Sequence, residues 1–339
     1  MTTDPTSGPV RFLQVGDLAA GNRLVDLSLR AVQADPDRPS GLTKGHRACR
    51  GCGEALAARG VLDAAWRASG GRLVTVNATG CLEVFSSPYP ESAWKVPWLH
   101  SLFGNAPAVA AGVAAALRVQ GRDDIRVLAQ GGDGGTLDIG FGCLSGMFER
   151  DDDVLYVCYD NQAYMNTGVQ RSGATPPEAR TTTTPVVDGV GGNVTRHVKD
   201  APRIAMTHGV RYVATATVAD LRDLEHKVAR AMSFRGARYL HVLVPCPLGW
   251  GTPSEETVEL ARLAVRTGLF PLLEAEDGDV VATTPIRRRE PVTTYLRRQA
   301  RFAHLFAPVR RDEVIDRIQR EADRTVARYR LDRPEEEPT

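Results

Sequence analysis

The sequence predicts an α/β protein with a doubly wound, mostly parallel sheet. Short apolar runs rich in β-branched residues alternate with longer helical segments, which is typical of a parallel sheet covered by helices on both faces. A glycine-rich turn follows one apolar run, and a polar side chain follows the next. Ligands of open α/β sheets bind at the carboxyl ends of the strands. These observations together predict a binding site at one edge of the sheet.

The bulk composition excludes some partners. The chain has 339 residues and a formal net charge of +1, which gives no reason to expect nucleic acid or a membrane surface as a partner. No stretch of the sequence is long and apolar enough to span a bilayer, and the first residues lack the apolar core of a signal peptide. We therefore expect a cytoplasmic protein, in which cysteines are more often metal ligands than disulfides.

The first elements follow from periodicity and composition. Residues 1–45 have little periodic pattern and predict a surface arm without chemistry. Apolar spacing predicts a helix over 54–68 and a strand over 72–77. Residues 82–105, rich in Pro and aromatic residues, predict an irregular segment. The Ala- and Gly-rich stretch 106–119 predicts a buried helix, because small residues allow close packing.

The remainder continues the alternation of strands and helices. We expect strands over 125–130 and 154–159 with a helix between them, followed by a loop over 171–199. The later elements are predicted as strands over 212–215 and 239–244, helices over 218–234 and 255–267, a hairpin over 272–283, charged helices over 290–305 and 310–330, and a frayed tail ending in PEEEPT.

We expect three parts along the chain. An N-terminal arm covers residues 1–45, and an α/β domain covers 46–252. A C-terminal extension of helices and a hairpin, residues 253–339, is expected to pack on that same domain.

The most informative motif is the turn GGDGG at 131–135. Its glycines let backbone N–H groups approach a phosphate, and the following helix points its positive end at the same place. The next strand ends at Asp160-Asn161, and parallel pairing would bring Asn161 beside Asp133. One carboxylate and one amide form a partial oxygen shell typical of Mg²⁺, which completes its octahedron with phosphate oxygens. The unit therefore predicts a Mg²⁺-diphosphate site.

This turn matches neither common nucleotide motif. A Walker A loop needs Gly-Lys-Ser/Thr after the glycines, whereas Thr136-Leu137 follow here. A dinucleotide fingerprint needs GxGxxG and an acid at the end of the next strand. In this chain the acid, Asp133, lies inside the turn itself.

Four of the six cysteines lie in predicted loops or at strand ends. Cys49 and Cys52 form a CxxC pair, whereas Cys81 and Cys246 each follow an apolar strand. Four converging thiolates fit either a structural Zn²⁺ or an iron–sulfur cluster, and one pair joined to two distant single cysteines slightly favours the cluster. The other two cysteines are expected in the core, where free cysteines are common: Cys143 and Cys158.

Several of these motifs resemble those of thiamine-diphosphate (ThDP) enzymes. GDG followed roughly thirty residues later by Asn161 is similar to the ThDP motif. GGDGG and YDNQAYMNTGVQRSGATP together resemble the β subunit of the 2-oxoacid:ferredoxin oxidoreductases, and the resemblance covers about residues 46–306. CRGCGE, NATGC and VPCPLGW are similar to the segments that bind the proximal [4Fe–4S] cluster in that family. Leu248 stands where the family usually has Thr.

The resemblance implies the pyrophosphate-domain type of ThDP-binding fold, with irregular cluster-binding loops and a helical C-terminal extension. The implied cofactors are ThDP, Mg²⁺ and one [4Fe–4S] cluster, with coenzyme A as co-substrate. The implied Mg²⁺ ligands are Asp133, Asn161 and the backbone carbonyl of Ala163. The implied cluster ligands are Cys49, Cys52, Cys81 and Cys246.

The resemblance also implies contacts to ThDP. Asn166 would be the catalytic residue that faces the reacting carbon. The other implied contacts are Gly132, Gly134, Gly135 and Thr167 along the diphosphate, and Glu54, Cys81 and Phe103 at the thiamine.

The implied activity is oxidative decarboxylation of pyruvate with coenzyme A to acetyl-CoA and CO₂. Electrons would pass through the cluster to ferredoxin, and the reaction would be reversible as pyruvate synthase. In this family an α subunit supplies the Glu that activates ThDP and most of the substrate-binding residues. Further implied partners are γ and ferredoxin-like δ subunits and an external ferredoxin. The chain alone is therefore expected to be inactive.

Three alternatives to this activity are open at the level of sequence. The same chemistry could act on a branched-chain or aryl 2-oxoacid. A non-oxidative ThDP decarboxylase would need no cluster, and the four-cysteine set argues against it. A non-catalytic, zinc-stabilised subunit would need no ThDP motif, so the GDG turn argues against that alternative.

Overall fold

The computed structural model describes residues 13–15, 18–20, 40–43, 45–88 and 90–332. The chain forms two compact units, Met1–Ser40 and Gly41–Thr339. Within the first unit, β1 (Leu13–Val15) and β2 (Leu18–Ala20) form a short antiparallel pair. Most of the predicted arm and the predicted frayed tail lie outside the described residues. The three-part division of the chain stays a prediction.

An eight-stranded, mostly parallel sheet forms the centre of the second unit. Its neighbouring strands run parallel except that β11 is antiparallel to both β9 and β12, and the order is β12-β11-β9-β10-β6-β5-β3-β4. The described strands are β3 (Leu73–Ala78), β4 (Trp98–Ser101), β5 (Arg126–Gly132), β6 (Val154–Asp160), the separate hairpin β7 (Val186–Val187) and β8 (Val190–Gly191), β9 (Tyr212–Thr217), β10 (Arg238–Leu243), β11 (Leu273–Glu276) and β12 (Asp279–Thr283).

Helices cover both faces of this sheet. A π-helical turn, Gly135–Ile139, follows β5. The described α-helices are α1 (Gly53–Ala68), α2 (Cys81–Ser86), α3 (Ala106–Val119), α4 (Phe141–Glu149), α5 (Ala201–Thr207), α6 (Leu221–Ser233), α7 (Pro247–Trp250), α8 (Thr257–Arg266), α9 (Val292–Leu296) and α10 (Asp312–Tyr329). Among the described residues, no helix is both long and apolar enough to cross a membrane.

The core explains the doubly wound arrangement. All seven residues of β6 are buried, and alternate side chains enter different clusters. Leu155 and Val157 pack with α1 and α6 on one face, whereas Tyr156 and Cys158 pack with α3, α4 and α5 on the other. This is the period-two pattern of a central strand covered on both sides. A third cluster joins Trp250 to the C-terminal helices. The predicted fold class is confirmed.

The segment 82–105 is more regular than predicted. It contains most of α2 and all of β4, which pairs in parallel with β3 from Thr75↔Trp98 to Ala78↔Ser101. As an edge strand, β4 has no fully buried residue, so its sequence lacks the apolar pattern that identifies central strands. Residues 98–101 are therefore a strand because their backbone pairs with β3, which their composition did not indicate.

The expectation that residues 106–119 form a buried helix is wrong in part. The helix α3 exists, but it buries only Ala106, Pro107, Ala110 and Ala111, and Val119 is 86% exposed. Ala106 and Ala110 pack in the core beside the partly buried Ala114, whereas three other alanines face solvent: Ala108, Ala115 and Ala116. Cys143, which was expected in the core, is only half-buried in α4, whereas Cys158 is fully buried as predicted.

Two later predictions also need correction. The loop 171–199 contains the short hairpin of β7 and β8. The single helix predicted over 290–305 is divided into α9 and a 3₁₀-helix, Ala300–Leu305. Gln299 is extended between them, and its side-chain amide donates to the carbonyl of Tyr295 at 2.8 Å. This side chain satisfies a carbonyl that a continuous helix would have bonded to backbone.

Candidate active site

The carboxyl ends of four adjacent strands carry the predicted site residues. In the order β3, β5, β6 and β10, the strands are followed by Cys81, Asp133, Asn161 and Cys246. The parallel registers place these ends together, with Gly132 paired to Tyr159 and Leu243 paired to Asp160. Residues far apart in the chain thus reach one edge of the sheet, where open α/β sheets bind ligands.

The CxxC segment reaches the same edge from the start of α1. The backbone N–H of Gly53 donates to the carbonyl of Pro245 at 3.2 Å, directly before Cys246. A Cβ on Gly53 would lie 2.8 Å from that carbonyl oxygen. Only glycine allows this approach, so the spacing CxxCG is suited to bring Cys52 beside Cys246.

Three potential oxygen ligands converge beside the glycine turn. One atom of the Asn161 side-chain amide lies 2.8 Å from the carbonyl oxygen of Ala163 and 3.0 Å from Asp133 Oδ1. The other amide atom faces Glu54, where the nitrogen donates to Oε2 at 3.3 Å. When the nitrogen faces Glu54, the Asn161 amide oxygen faces two other acceptors, Asp133 Oδ1 and the Ala163 carbonyl oxygen. A cation between these three oxygens would stabilise that arrangement.

Asp133 is completely buried. Burial raises the pKa of its carboxyl well above the usual range, and the nearby Asp160 carboxylate raises it further. The hydroxyl of Ser172 donates to Oδ2 and opposes this shift. A buried carboxylate beside a second one is stabilised by a cation, so the charge distribution fits a metal ligand.

Two glycines of the turn allow close contacts. A Cβ on Gly134 would lie 2.3 Å from the ring of Tyr164, whose hydroxyl donates to the carbonyl of Gly134 at 2.9 Å. A Cβ on Gly135 would lie 2.9 Å from the carbonyl oxygen of Phe103. Gly132, by contrast, has open space where a Cβ would be. The turn is thus closely packed on one side and open at Gly132.

The four predicted ligand cysteines line one cavity of about 110 Å³. Burial raises the pKa of the Cys81 thiol, and Glu54 and the other three cysteines raise it further. Burial also raises the pKa of Cys52 to about 12 and raises that of Cys246. All four thiols are free, and each interacts electrostatically with another of the set.

Backbone groups already point at two of these sulfurs. The N–H of Ala55 donates to Cys52 Sγ at 3.4 Å, and the N–H of Gly249 donates to Cys246 Sγ at 3.4 Å. Each cysteine caps the helix that follows it. Over the described residues, no three His, Cys, Asp or Glu side chains stand close enough to hold one metal ion.

Glu54 lines the cysteine cavity and also contacts Asn161, which lines the same cavity. Its side chain is buried, and Oε1 accepts from the N–H of Leu82 at 3.1 Å, next to Cys81. Burial raises the pKa of Glu54 to about 7, against the lowering by its hydrogen bonds from Leu82 and Asn161. Glu54, a predicted ThDP contact, is therefore bonded both to the segment of Cys81 and to Asn161.

The remaining predicted residues lie at the mouth of the site. Asn166 lines the cysteine cavity, and both Asn166 and Thr167 are exposed in a loop closed by a bridge between Tyr164 and Gln170. The Thr167 hydroxyl hydrogen-bonds within this loop. Phe103 is 36% exposed beside the glycine turn.

Sequence reasoning missed several residues of the site. Ser172 and Tyr164 contact the glycine turn, and Trp250 donates its indole N–H to the carbonyl of Asn161 at 2.8 Å. Each is a polar contact between distant segments, and no local spacing indicated it.

This arrangement defines a class, the ThDP-binding enzyme domains. Residues 78–242 match the family described as thiamine pyrophosphate enzyme, C-terminal TPP binding domain. Pyruvate synthase subunit PorB of Methanosarcina barkeri is 48% identical over 291 residues, which cover 86% of this chain and 97% of that protein. Ketoisovalerate oxidoreductase subunit VorB of Pyrococcus abyssi is 41% identical over 272 residues, covering 77% of this chain and 85% of that protein.

The match to one solved structure supports the same class of protein. The 2-oxoglutarate:ferredoxin oxidoreductase from Magnetococcus marinus, with 2-oxoglutarate, coenzyme A and succinyl-CoA bound, matches with a TM-score of 0.52 and 25% identity. The match covers 65% of this chain and 78% of that chain. The chain belongs to the pyruvate synthase subunit PorB family, the ThDP-dependent subunits of 2-oxoacid:ferredoxin oxidoreductases. The predicted family and enzyme class are confirmed, whereas the cluster, the Mg²⁺ and the individual site residues stay predictions.

Proposed function

We propose that this chain is the subunit of a pyruvate:ferredoxin oxidoreductase that binds Mg²⁺-ThDP and a [4Fe–4S] cluster. Its complex would convert pyruvate and coenzyme A to acetyl-CoA and CO₂, with two electrons passing to ferredoxin, and would also run in reverse. The observation that carries this proposal is the edge of the sheet at which Asp133 and Asn161 stand between Cys81 and Cys246. A ThDP site and a redox cluster would be neighbours there.

Asp133, Asn161 and the carbonyl of Ala163 would hold Mg²⁺. In an octahedron with bonds of about 2.1 Å, neighbouring oxygens stand about 3 Å apart. The separations of 2.8 and 3.0 Å around the Asn161 amide are close to that value. The ion would also offset the buried charge of Asp133, and phosphate oxygens would complete its shell.

The chain's other residues would position ThDP, which when bound supplies the electron sink for decarboxylation. Asn166, at the exposed mouth, would hydrogen-bond the substrate and act as the catalytic residue. Gly132, with its open side, would admit a phosphate close to backbone. The remaining contacts would be Gly134, Gly135 and Thr167 along the diphosphate, and Glu54, Cys81 and Phe103 at the thiamine.

Cys49, Cys52, Cys81 and Cys246 would bind the cluster. A cubane takes one thiolate on each iron, so its ligands surround a volume, and the cavity between these cysteines is such a volume. The raised pKa values of Cys52, Cys81 and Cys246 mean that cluster binding must displace protons from these thiols. The N–H groups that face Cys52 and Cys246 would remain as hydrogen bonds to sulfur, which influence the cluster's potential.

The chain would work with other subunits in the cytoplasm. An α subunit would supply the Glu that activates ThDP and the main substrate contacts. Around the mouth of the site, large apolar side chains are exposed, as expected for a surface covered by a partner: Val84, Leu102, Phe103, Ile139 and Leu248. Further partners would be γ and ferredoxin-like δ subunits and external ferredoxin.

A second substrate class has support. The ketoisovalerate relative is 41% identical to this chain, close to the 48% of the pyruvate synthase relative. A branched-chain 2-oxoacid is therefore the alternative substrate, and the partner's residues would decide between the two. Comparing kcat/KM for pyruvate and 2-ketoisovalerate in the complete complex distinguishes these alternatives.

The metal clamp predicts a selective effect of Asp133→Asn. Removing the charged ligand should weaken Mg²⁺-dependent ThDP binding by at least about a hundredfold, above the usual range for outer-shell changes. Iron content should be unchanged, because the cysteines are separate residues. Calorimetric titration with ThDP at fixed Mg²⁺ measures the first effect. Asp124→Asn, just before the opposite end of β5, is the matched control, and equal losses in both variants would refute the assignment.

Because Cys246 is a proposed cluster ligand and not a proposed Mg²⁺ ligand, Cys246→Ser should affect the iron content and not ThDP binding. The variant should lose most of its iron after anaerobic purification, yet retain Mg²⁺-dependent ThDP binding. Cys143→Ser, a half-buried helical cysteine outside the cavity, should keep its iron. Iron analysis checks both variants, and full iron in Cys246→Ser would remove that residue from the ligand set.

Because an α subunit would supply the activating Glu and the main substrate contacts, we predict that activity needs partner subunits. The purified chain alone should not support pyruvate- and coenzyme A-dependent reduction of ferredoxin, whereas the complex reassembled from separate subunits should. The assay follows ferredoxin reduction anaerobically. Turnover by the isolated chain would contradict the shared site, and an inactive but cofactor-loaded complex would contradict the proposed reaction.

A further inference from the structure

The proposed metal-binding turn has an unusual backbone. Asn161, Gln162 and Ala163 follow β6, and the outer two supply two of the three proposed Mg²⁺ oxygens. The middle residue, Gln162, is left-handed with φ of +69°. Non-glycine residues in this region are uncommon and persist only where the surroundings hold them.

Contacts to Gln162 hold this conformation on three sides. Its N–H donates to Asp160 Oδ1 at 2.9 Å, and its carbonyl accepts from the Thr175 hydroxyl at 2.7 Å. Its side-chain oxygen accepts from Arg301 Nη2 at 2.5 Å. Two of these partners are near in sequence, whereas Arg301 comes from the C-terminal extension.

Arg301 is a buried guanidinium with neutral hydrogen-bond acceptors. Its side chain is 3% exposed, and Nε donates to the side-chain oxygen of Gln299 at 2.9 Å. Burying a cation is costly unless its surroundings compensate it. Here the compensation comes from the Tyr295 hydroxyl, the two glutamine oxygens, the aromatic face of Trp250, and the more distant charge of Asp160.

Trp250 connects Arg301 to the metal turn by a second route. The guanidinium carbon lies 4.0 Å from the centre of the indole ring, a cation–π distance. The indole N–H donates to the carbonyl of Asn161 at 2.8 Å. Arg301 therefore reaches the turn directly at the Gln162 side chain and indirectly through Trp250, which bonds the Asn161 carbonyl.

We propose that Arg301 is a positioning residue for the Mg²⁺-binding turn, so that the C-terminal extension sets the geometry of the cofactor site. The inference rests on the proposed function, because it takes Asn161 and Ala163 as Mg²⁺ ligands. The guanidinium does not touch the ion. It holds Gln162 left-handed, which keeps the Asn161 side chain and the Ala163 carbonyl directed at Asp133.

The test compares ThDP binding to the complete complex with Mg²⁺ or with Ca²⁺. Mg²⁺ demands near-ideal octahedral geometry, whereas Ca²⁺ accepts longer and more variable bonds. Arg301→Met should weaken Mg²⁺-supported ThDP binding by about ten- to a hundredfold, the usual range for outer-shell partners. Ca²⁺-supported binding should fall by less. Arg301→Lys, which keeps a donor, should show a smaller loss.

Two further variants separate positioning from general stability. Gln162→Met removes the acceptor and should reproduce the Mg²⁺-selective loss, and the double variant with Arg301→Met should be less than additive. Arg297→Met is the matched control, since Arg297 stacks on Phe306 at 4.4 Å in the same extension but is exposed. It should bind ThDP like the wild type.

The outcomes distinguish this inference from the proposed function. Unchanged Mg²⁺ dependence in Arg301→Met and Gln162→Met would overturn the inference. Equal losses with Mg²⁺ and Ca²⁺, together with a large fall in Tm, would also overturn it by indicating a structural role. Wild-type binding of ThDP that is insensitive to both ions and to Asp133→Asn would instead overturn the metal site itself.

Discussion

Parallel pairing of β3, β5, β6 and β10 is the constraint on which the site depends. Because these strands are neighbours and run in one direction, the residues after each of them meet at a single edge. Cys81 and Cys246 stand at the outer two strands, and Asp133 and Asn161 stand at the inner two. A shift of one strand by a single residue would exchange its buried faces, so the core fixes the register that aligns the site.

Glu54 links the two chemical halves of that edge. Its buried carboxyl accepts one hydrogen bond beside Cys81 and another from the amide of Asn161. When the amide nitrogen makes this second bond, the amide oxygen faces Asp133 and the carbonyl of Ala163. Glu54, the proposed thiamine contact in the CxxC helix, thus bonds both to the residue after Cys81 and to the proposed metal ligand Asn161.

The sequence was sufficient for features that are local or periodic. The strand ends and the glycine turn predicted that Asp133 and Asn161 would lie together at one edge of the sheet. The CxxC spacing predicted that Cys49 and Cys52 would form a local pair. Contacts between distant segments left no such signal. Ser172 and Arg301 reach their partners across 39 and 139 residues, and nothing in their local sequences indicates those contacts. Edge strand β4 and the exposed face of α3 were missed for the related reason that partial burial weakens periodicity.

Anaerobic purification followed by iron, sulfide, zinc and ThDP analysis tests the central claim most directly, with an EPR spectrum recorded after dithionite reduction. The account predicts about four irons and four sulfides per chain, a reduced-cluster signal and little zinc. One zinc without iron would contradict it, since four thiolates would then hold a structural ion. The edge of the sheet would in that case bind ThDP without a neighbouring electron acceptor.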